Sequence, residues 1–107
     1  MRSEHDIQRE IEMKMNTRNS RVFRNNVGSY KTDKGWIKFG LMQGSGDLIG
    51  WETVEITPEM VGSKIARFLS IEVKRENGRL SHEQEVWKNM VNGSGGRAIV
   101  AKKIEDC

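Results

Sequence analysis

The chain has 107 residues and a formal net charge of +3, with 31% charged residues, so it supports one domain with a modest core and carries no extreme charge. Its one cysteine, Cys107, excludes an internal disulfide and a cluster of metal-binding thiols. No apolar run approaches a membrane span, and Arg2, Glu4, Asp6, Arg9 and Glu10 leave no apolar region for a signal peptide, so the expected compartment is the cytoplasm.

In chain order, Ser3 to Met15 places Ile7, Ile11 and Met15 four apart, an amphipathic helix with Ser3 as its N-cap. Arg21 to Val27 reads as a strand ending at Gly28, Ser29 to Lys34 as a polar loop, and Trp36 to Leu41 as another strand. The Gly-rich turn at 44–46 feeds a strand that begins at Asp47 and runs toward Glu55. Thr57 to Met60 is a turn, or one helical turn with Pro58 at its start. Phe68 to Val73, rich in apolar and β-branched residues, reads as a buried strand, followed by a turn at Glu76-Asn77-Gly78. Ser81 to Val91 is a second helix with Val86, Trp87, Met90 and Val91 on its apolar face. Asn92 to Gly96 stops it, and Arg97 to Ile104 closes the chain as a last strand. The expected core order is α-β-β-β-α-β: an α/β fold with a small mixed central sheet flanked by helices, one domain over residues 1–107.

Charge is unevenly spread. Residues 1–38 hold nine Lys/Arg against five Asp/Glu, a net of +4; residues 39–63 hold only four acids, −4; residues 64–107 hold nine basic and six acidic residues, +3. Basic flanks fit a polyanionic partner, although on charge alone a mixed pattern of this size is better read as a solvated surface.

The chemistry concentrates at Glu72 and Lys74. Residues two apart on a strand share a face, so these two project together while Ile71 and Val73 turn to the other side. A carboxylate and an ammonium at the end of an apolar strand are costly unless something uses them. Asp47 stands at the head of its own short apolar run. If the two strands pair, two acids and one lysine meet in a hard, oxygen-rich site for a divalent cation, the chemistry of phosphodiester cleavage.

Plainer readings stand beside these. Glu72 and Lys74 could be a solvent-facing pair on an edge strand. Gly44-Ser45-Gly46 lacks the Lys-Ser/Thr that follows a phosphate loop and is better read as a turn. Ser81-His82-Glu83-Gln84 is a capping box in which Gln84 bonds back to the Ser81 amide. Glu4 is an acid in a first helical turn, where the helix dipole favours it. His5 and His82 read as surface residues, and Trp36, Trp51 and Trp87 as core or interface residues rather than base-stacking platforms.

Asp47 followed by Glu72-Val73-Lys74 is the Asp…Glu-x-Lys core of the PD-(D/E)xK nuclease superfamily. The longer string, Gly44-Ser45-Gly46-Asp47-Leu48-Ile49-Gly50, then Glu72-Val73-Lys74, then Gly78-Arg79-Leu80-Ser81 and Gln84, resembles its virus-type replication-repair nuclease (VRR-NUC) branch, stand-alone phage or bacterial type. Glu-x-Lys alone would arise by chance; the combination is far more specific, and it runs from Glu4 to about Val100. Gly46 stands where the superfamily name has Pro, which loosens the turn and removes no ligand. The resemblance implies that Asp47 and Glu72 bind Mg²⁺ or Mn²⁺ with the backbone carbonyl of Val73. It implies that Lys74 holds the attacking water or stabilises developing charge, that Gln84 lies beside the active site, and that an acid of the first helix reaches toward the metal. Glu4, with Gln8 after it, fits that last role better than Glu10 or Glu12. The implied protein is a homodimeric endonuclease of branched DNA, with four-way (Holliday) junctions as leading substrate; from residue type, Trp36, Phe39 or Trp51 are the candidate apolar anchors of the dimer. An inactive nucleic-acid-binding module on the same fold, a flap or general DNA nickase, and an interaction protein whose acids are surface charge are the alternatives.

Overall fold

Glu4–Met15 forms helix α1, and the computed structural model, which describes residues 2–107, shows how its start is fixed. The Ser3 hydroxyl accepts from the Asp6 amide at 3.1 Å, satisfying one of the donors a helix start leaves unpaired. Glu4 and Asp6 then sit at the positive end of the helix dipole and Lys14 at the negative end. At the far end, Asn16 ties the helix to the first strand. Its amide donates to the Val22 carbonyl at 3.2 Å and accepts from the Val22 amide at 2.9 Å. Helix α2, His82–Gly93, ends in the same way, with Asn92 exchanging both bonds with Ala98 at 3.1 and 2.8 Å. In both places one side-chain amide stands in for a strand neighbour and orients the strand after the helix.

The chain divides into two compact units, the first ending at Val54 and the second running Glu55–Cys107. In the first, β1 (Ser20–Arg24) pairs antiparallel with β4 (Leu48–Glu52), Val22 facing Gly50. Between them, β2 (Gly28–Thr32) and β3 (Gly35–Phe39) form an antiparallel hairpin around the two-residue tip Asp33-Lys34. In the second unit, β5 (Leu69–Val73) and β6 (Arg97–Ala101) run parallel, joined through α2, with Glu72 beside Val100. Val91, Ala98 and Ala101 are buried here, and the Phe68 and Trp87 rings meet edge to face at 6.1 Å.

The α/β class, both helices and the strand-helix-strand order of β5, α2 and β6 agree with expectation. The strand count differs. Five strands lie between the helices, against three in the expected core order and four segments read along the chain as strands, and pairing is in three two-stranded ladders. The added strand is β2, read from sequence as a loop; Ser29, Lys31 and Thr32 give it no apolar face, and a hairpin exposed along all of β3 needs none. Trp36, in that exposed strand, is no core residue; Trp51 and Trp87 are half-buried. The last strand stops at Ala101 rather than Ile104, because the Asp106 carboxylate accepts from the Lys102 and Lys103 amides at 2.8 and 3.2 Å and turns the chain into a 3₁₀ turn, Ile104–Asp106. Nor is β5 a buried strand as expected. Leu69, Ile71 and Val73 are exposed, while Ser70, Glu72 and Lys74 are half-covered. Helix α2 supplies polar partners to that side, so burial there leaves no group unsatisfied.

Candidate functional site

Alternation along β5 sends the side chains of Ser70, Glu72 and Lys74 to one side, and α2 stands over Ser70 and Glu72. The helix begins at Ser81 because its hydroxyl accepts from the Gln84 amide at 3.2 Å while Gln84 Oε1 accepts from the Ser81 amide at 2.9 Å, a complete capping box. The other end of the same side-chain amide is aimed at β5: Gln84 Nε2 donates to Glu72 Oε1 at 2.8 Å. Lys74 Nζ stands 3.5 Å from that same oxygen. One hydrogen-bond donor and one cation therefore meet on Oε1, and no hydrogen bond or ion pair to Glu72 Oε2 is present among the described residues. One turn further along α2, Trp87 Nε1 donates to Ser70 Oγ at 2.9 Å and fixes the helix over the strand. A cavity of about 160 Å³ opens between them, lined by Ser70, Glu72, Leu80, Gln84, Trp87 and Val100.

The Lys74 side chain is 22% exposed and that of Glu72 42%. Water screens a pair this open, so the attraction contributes about 1 kcal/mol or less to stability. Its consequence is geometric. The carboxylate is held by one oxygen, with Lys74 alongside, and the other oxygen has no partner among the described residues.

In the first unit, Asp47 is the residue before β4, and its side chain is exposed. The loop that delivers it is pinned by Asn25. The Asn25 side chain donates to Ser45 Oγ at 2.7 Å and to the Gly46 carbonyl at 2.9 Å, and accepts from the Leu41 amide at 3.0 Å. Its backbone amide donates to the Asp47 carbonyl at 2.9 Å. Glu4, at the first position of α1, is exposed and makes no ion pair or side-chain hydrogen bond among the described residues. Glu10 is engaged: Lys14 bonds it at 3.1 Å and Arg2 pairs with it at 2.7 Å, and these two cations, Lys14 foremost, hold its carboxyl below the usual range. Of the first-helix acids weighed, Glu10 is committed to Lys14 and Arg2, whereas the Glu4 and Glu12 carboxylates have no partner among the described residues.

The structure thus brings Glu72, Lys74 and Gln84 into contact within the second unit, with Val73 next to Glu72 on β5, while Asp47 and Glu4 belong to the first. Among the described residues, no three His, Cys, Asp or Glu side chains form a group that could hold a metal ion. Magnesium asks for less: one or two carboxylates, with water and phosphate oxygen filling the remaining positions. The donors offered by Asp47, Glu72 and the Val73 carbonyl are all hard oxygens, which suits that ion. Sequence reasoning missed Asn25 and the Ser70–Trp87 bond. An Asn directly after a strand does signal a turn, but Asn25 reaches partners 16 to 21 residues away, which no local pattern records.

The family model described as the VRR-NUC domain matches residues 2–103, a span that crosses both units. No curated protein and no solved structure matches the chain. Among the described residues, no helix is long and apolar enough to cross a membrane.

Proposed function

The chain belongs to the VRR-NUC domain family, and so has a nuclease-type function on DNA; from that premise we propose a metal-dependent endonuclease of branched DNA, with four-way junctions as the leading substrate. The observation that carries the reading is the shared oxygen of Glu72, bonded by Gln84 and faced by Lys74 with the second oxygen left free. A structural ion pair has no use for a third partner whose own capping role is already complete.

In this reading Asp47 and Glu72 hold Mg²⁺ or Mn²⁺ together with the Val73 carbonyl, and Glu4 reaches toward it from α1. Such an ion, when bound, polarises the scissile phosphate and makes water more acidic. The chain's own residues do the rest. Gln84 fixes the rotamer of Glu72, so the free oxygen is presented without reorganisation. Lys74 holds the attacking water or meets the negative charge that grows on the phosphoryl oxygens. Asn25 holds the loop that presents Asp47. Residues 1–107 act as one domain here, since the family match runs across both units.

The working form in this proposal is a homodimer. A domain of this size has little surface beyond its catalytic core for recognising a junction, whereas two copies about a two-fold axis present paired sites in a symmetry that the junction shares. Phe39, exposed with Tyr30 and Ile37 on one face of the hairpin, and Trp51, half-buried beside Phe23, are the candidate anchors. Cleavage of four-way junctions, flaps and plain duplex, alongside sedimentation of the purified protein, tests both parts. The expected result is a dimer that cuts junctions fastest; a monomer at micromolar concentration that cuts duplex equally well defeats the proposal.

A further inference from the structure

The β2–β3 hairpin has two unlike faces. Directly opposed residues of an antiparallel ladder share a face and successive residues alternate, so the pairs Ser29–Lys38 and Lys31–Trp36 lie on one side, and Gly28–Phe39 and Tyr30–Ile37 on the other. The second side partly covers itself. The Phe39 ring lies over Gly28, where a β-carbon would come within 2.5 Å of Cζ, and it stands 6.3 Å from the Tyr30 ring. The first side has no such cover. Trp36 is 67% exposed and makes no ring contact among the described residues, and Lys31 and Lys38 have no ion-pair partner among them. Lys34 adds a third cation at the tip, where Asp33 is the hairpin's one acid.

An indole exposed between two lysines offers a partner a flat π-face beside positive charge. The charge indicates which partner. Lysines on a projecting ribbon neutralise phosphates, and an indole near the tip stacks on a base. In a continuous duplex the bases are already stacked on one another. At a branch or a single-stranded end, one is available.

We propose that the Ser29–Lys31–Trp36–Lys38 face of the hairpin is a DNA contact, in which the lysines hold the backbone and Trp36 stacks on an unpaired or unstacked base at a branch point. The proposal rests on the nuclease reading and extends it to how branched DNA is told from duplex. It gives Trp36 a role other than dimer anchor and leaves the Phe39 side to a second copy.

The test is DNA binding by the full chain in EDTA, where no cleavage intrudes, using a labelled four-way junction, a flapped duplex and a plain duplex. Lys31→Ala and Lys38→Ala should weaken binding to all three by similar factors, each lowering the salt dependence by about one ion. Trp36→Ala should weaken junction and flap binding by about tenfold and duplex binding by less than about twofold, with Trp36→Phe retaining most of the preference. Variants that bind every DNA like the wild type overturn the hairpin contact while the nuclease reading stands. So does a Trp36→Ala chain that changes in sedimentation but not in binding, since Trp36 then faces another copy. A wild-type chain that binds none of the three overturns both.

Discussion

Gln84→Glu separates the two uses of one side chain. The new carboxylate can still accept the Ser81 amide at N3, so the capping box survives. The Nε2 donor to Glu72 Oε1 does not, and an oxygen takes its place 2.8 Å from another carboxylate oxygen. A hydrogen bond to a charged group contributes about 1.5–3 kcal/mol, and unit charges at 4 Å repel by about 4 kcal/mol at an effective dielectric near 20. The Glu72 side chain is 42% exposed, so water screens both effects, and a net loss of about 1–2 kcal/mol is the reasonable figure. A small domain converts that into a melting point lowered by roughly 4–16 °C. Glu72, without the Gln84 donor that fixes its rotamer and with Lys74 shared between two carboxylates, is no longer held in one position, and cleavage should slow by about tenfold or more, the equivalent of about 1.4 kcal/mol in the barrier. Single-turnover cleavage and a thermal melt on the same preparation read both quantities. Gln84→Ala, which loses cap and donor together, should melt lower than wild type by a further contribution of about 0.5–2 kcal/mol. A Glu variant that melts and cuts like wild type refutes the reasoning, for Gln84 would then be a cap and nothing more.

Asn25→Ala removes three side-chain hydrogen bonds from the loop before β4; it should cost about 1–3 kcal/mol and lower kcat more than it changes KM, as steady-state cleavage and denaturant unfolding would show. Gly50→Ala would place a β-carbon 1.7 Å from the Arg21 carbonyl oxygen, so the β1–β4 ladder must separate, and hydrogen exchange should show those strand amides losing protection. Glu10, whose carboxyl is held below its ordinary value of 4.5, should titrate in NMR below that value. Because the folded pKa is the depressed one, its contribution to α1 is present above the ordinary carboxylate range and disappears as pH falls through the lowered value. Arg2→Ala should move the titration part of the way back.

Local chemistry was legible in the sequence. Ser3 before an i, i+4 apolar series and Ser81 three residues before Gln84 marked both helix starts, because capping acts over three residues and leaves its trace in neighbouring letters. The alternation that places Glu72 and Lys74 on one side of a strand was equally readable. Which side would be covered was not. The Ile71 and Val73 side of β5 is the more apolar, yet α2 lies over the polar side, because Trp87 and Gln84 carry donors for Ser70 and Glu72 from 17 and 12 residues away. The β2 strand escaped notice for a related reason. Of Gly28–Thr32 only Tyr30 is large and apolar, so that strand has no hydrophobic period of its own to betray it, and it pairs with β3 alone.

The most direct measurement is cleavage of a labelled four-way junction by wild type and Glu72→Gln, each with Mg²⁺ and with EDTA. The substitution keeps an oxygen able to accept from Gln84 Nε2 and removes only the charge, so the fold and DNA binding should persist. Metal-assisted cleavage at Glu72 predicts cutting by wild type with Mg²⁺, none in EDTA, and a loss of at least about a hundredfold in Glu72→Gln, since it removes charge complementarity from the reacting centre. Undiminished cutting by Glu72→Gln, or by wild type in EDTA, would contradict it.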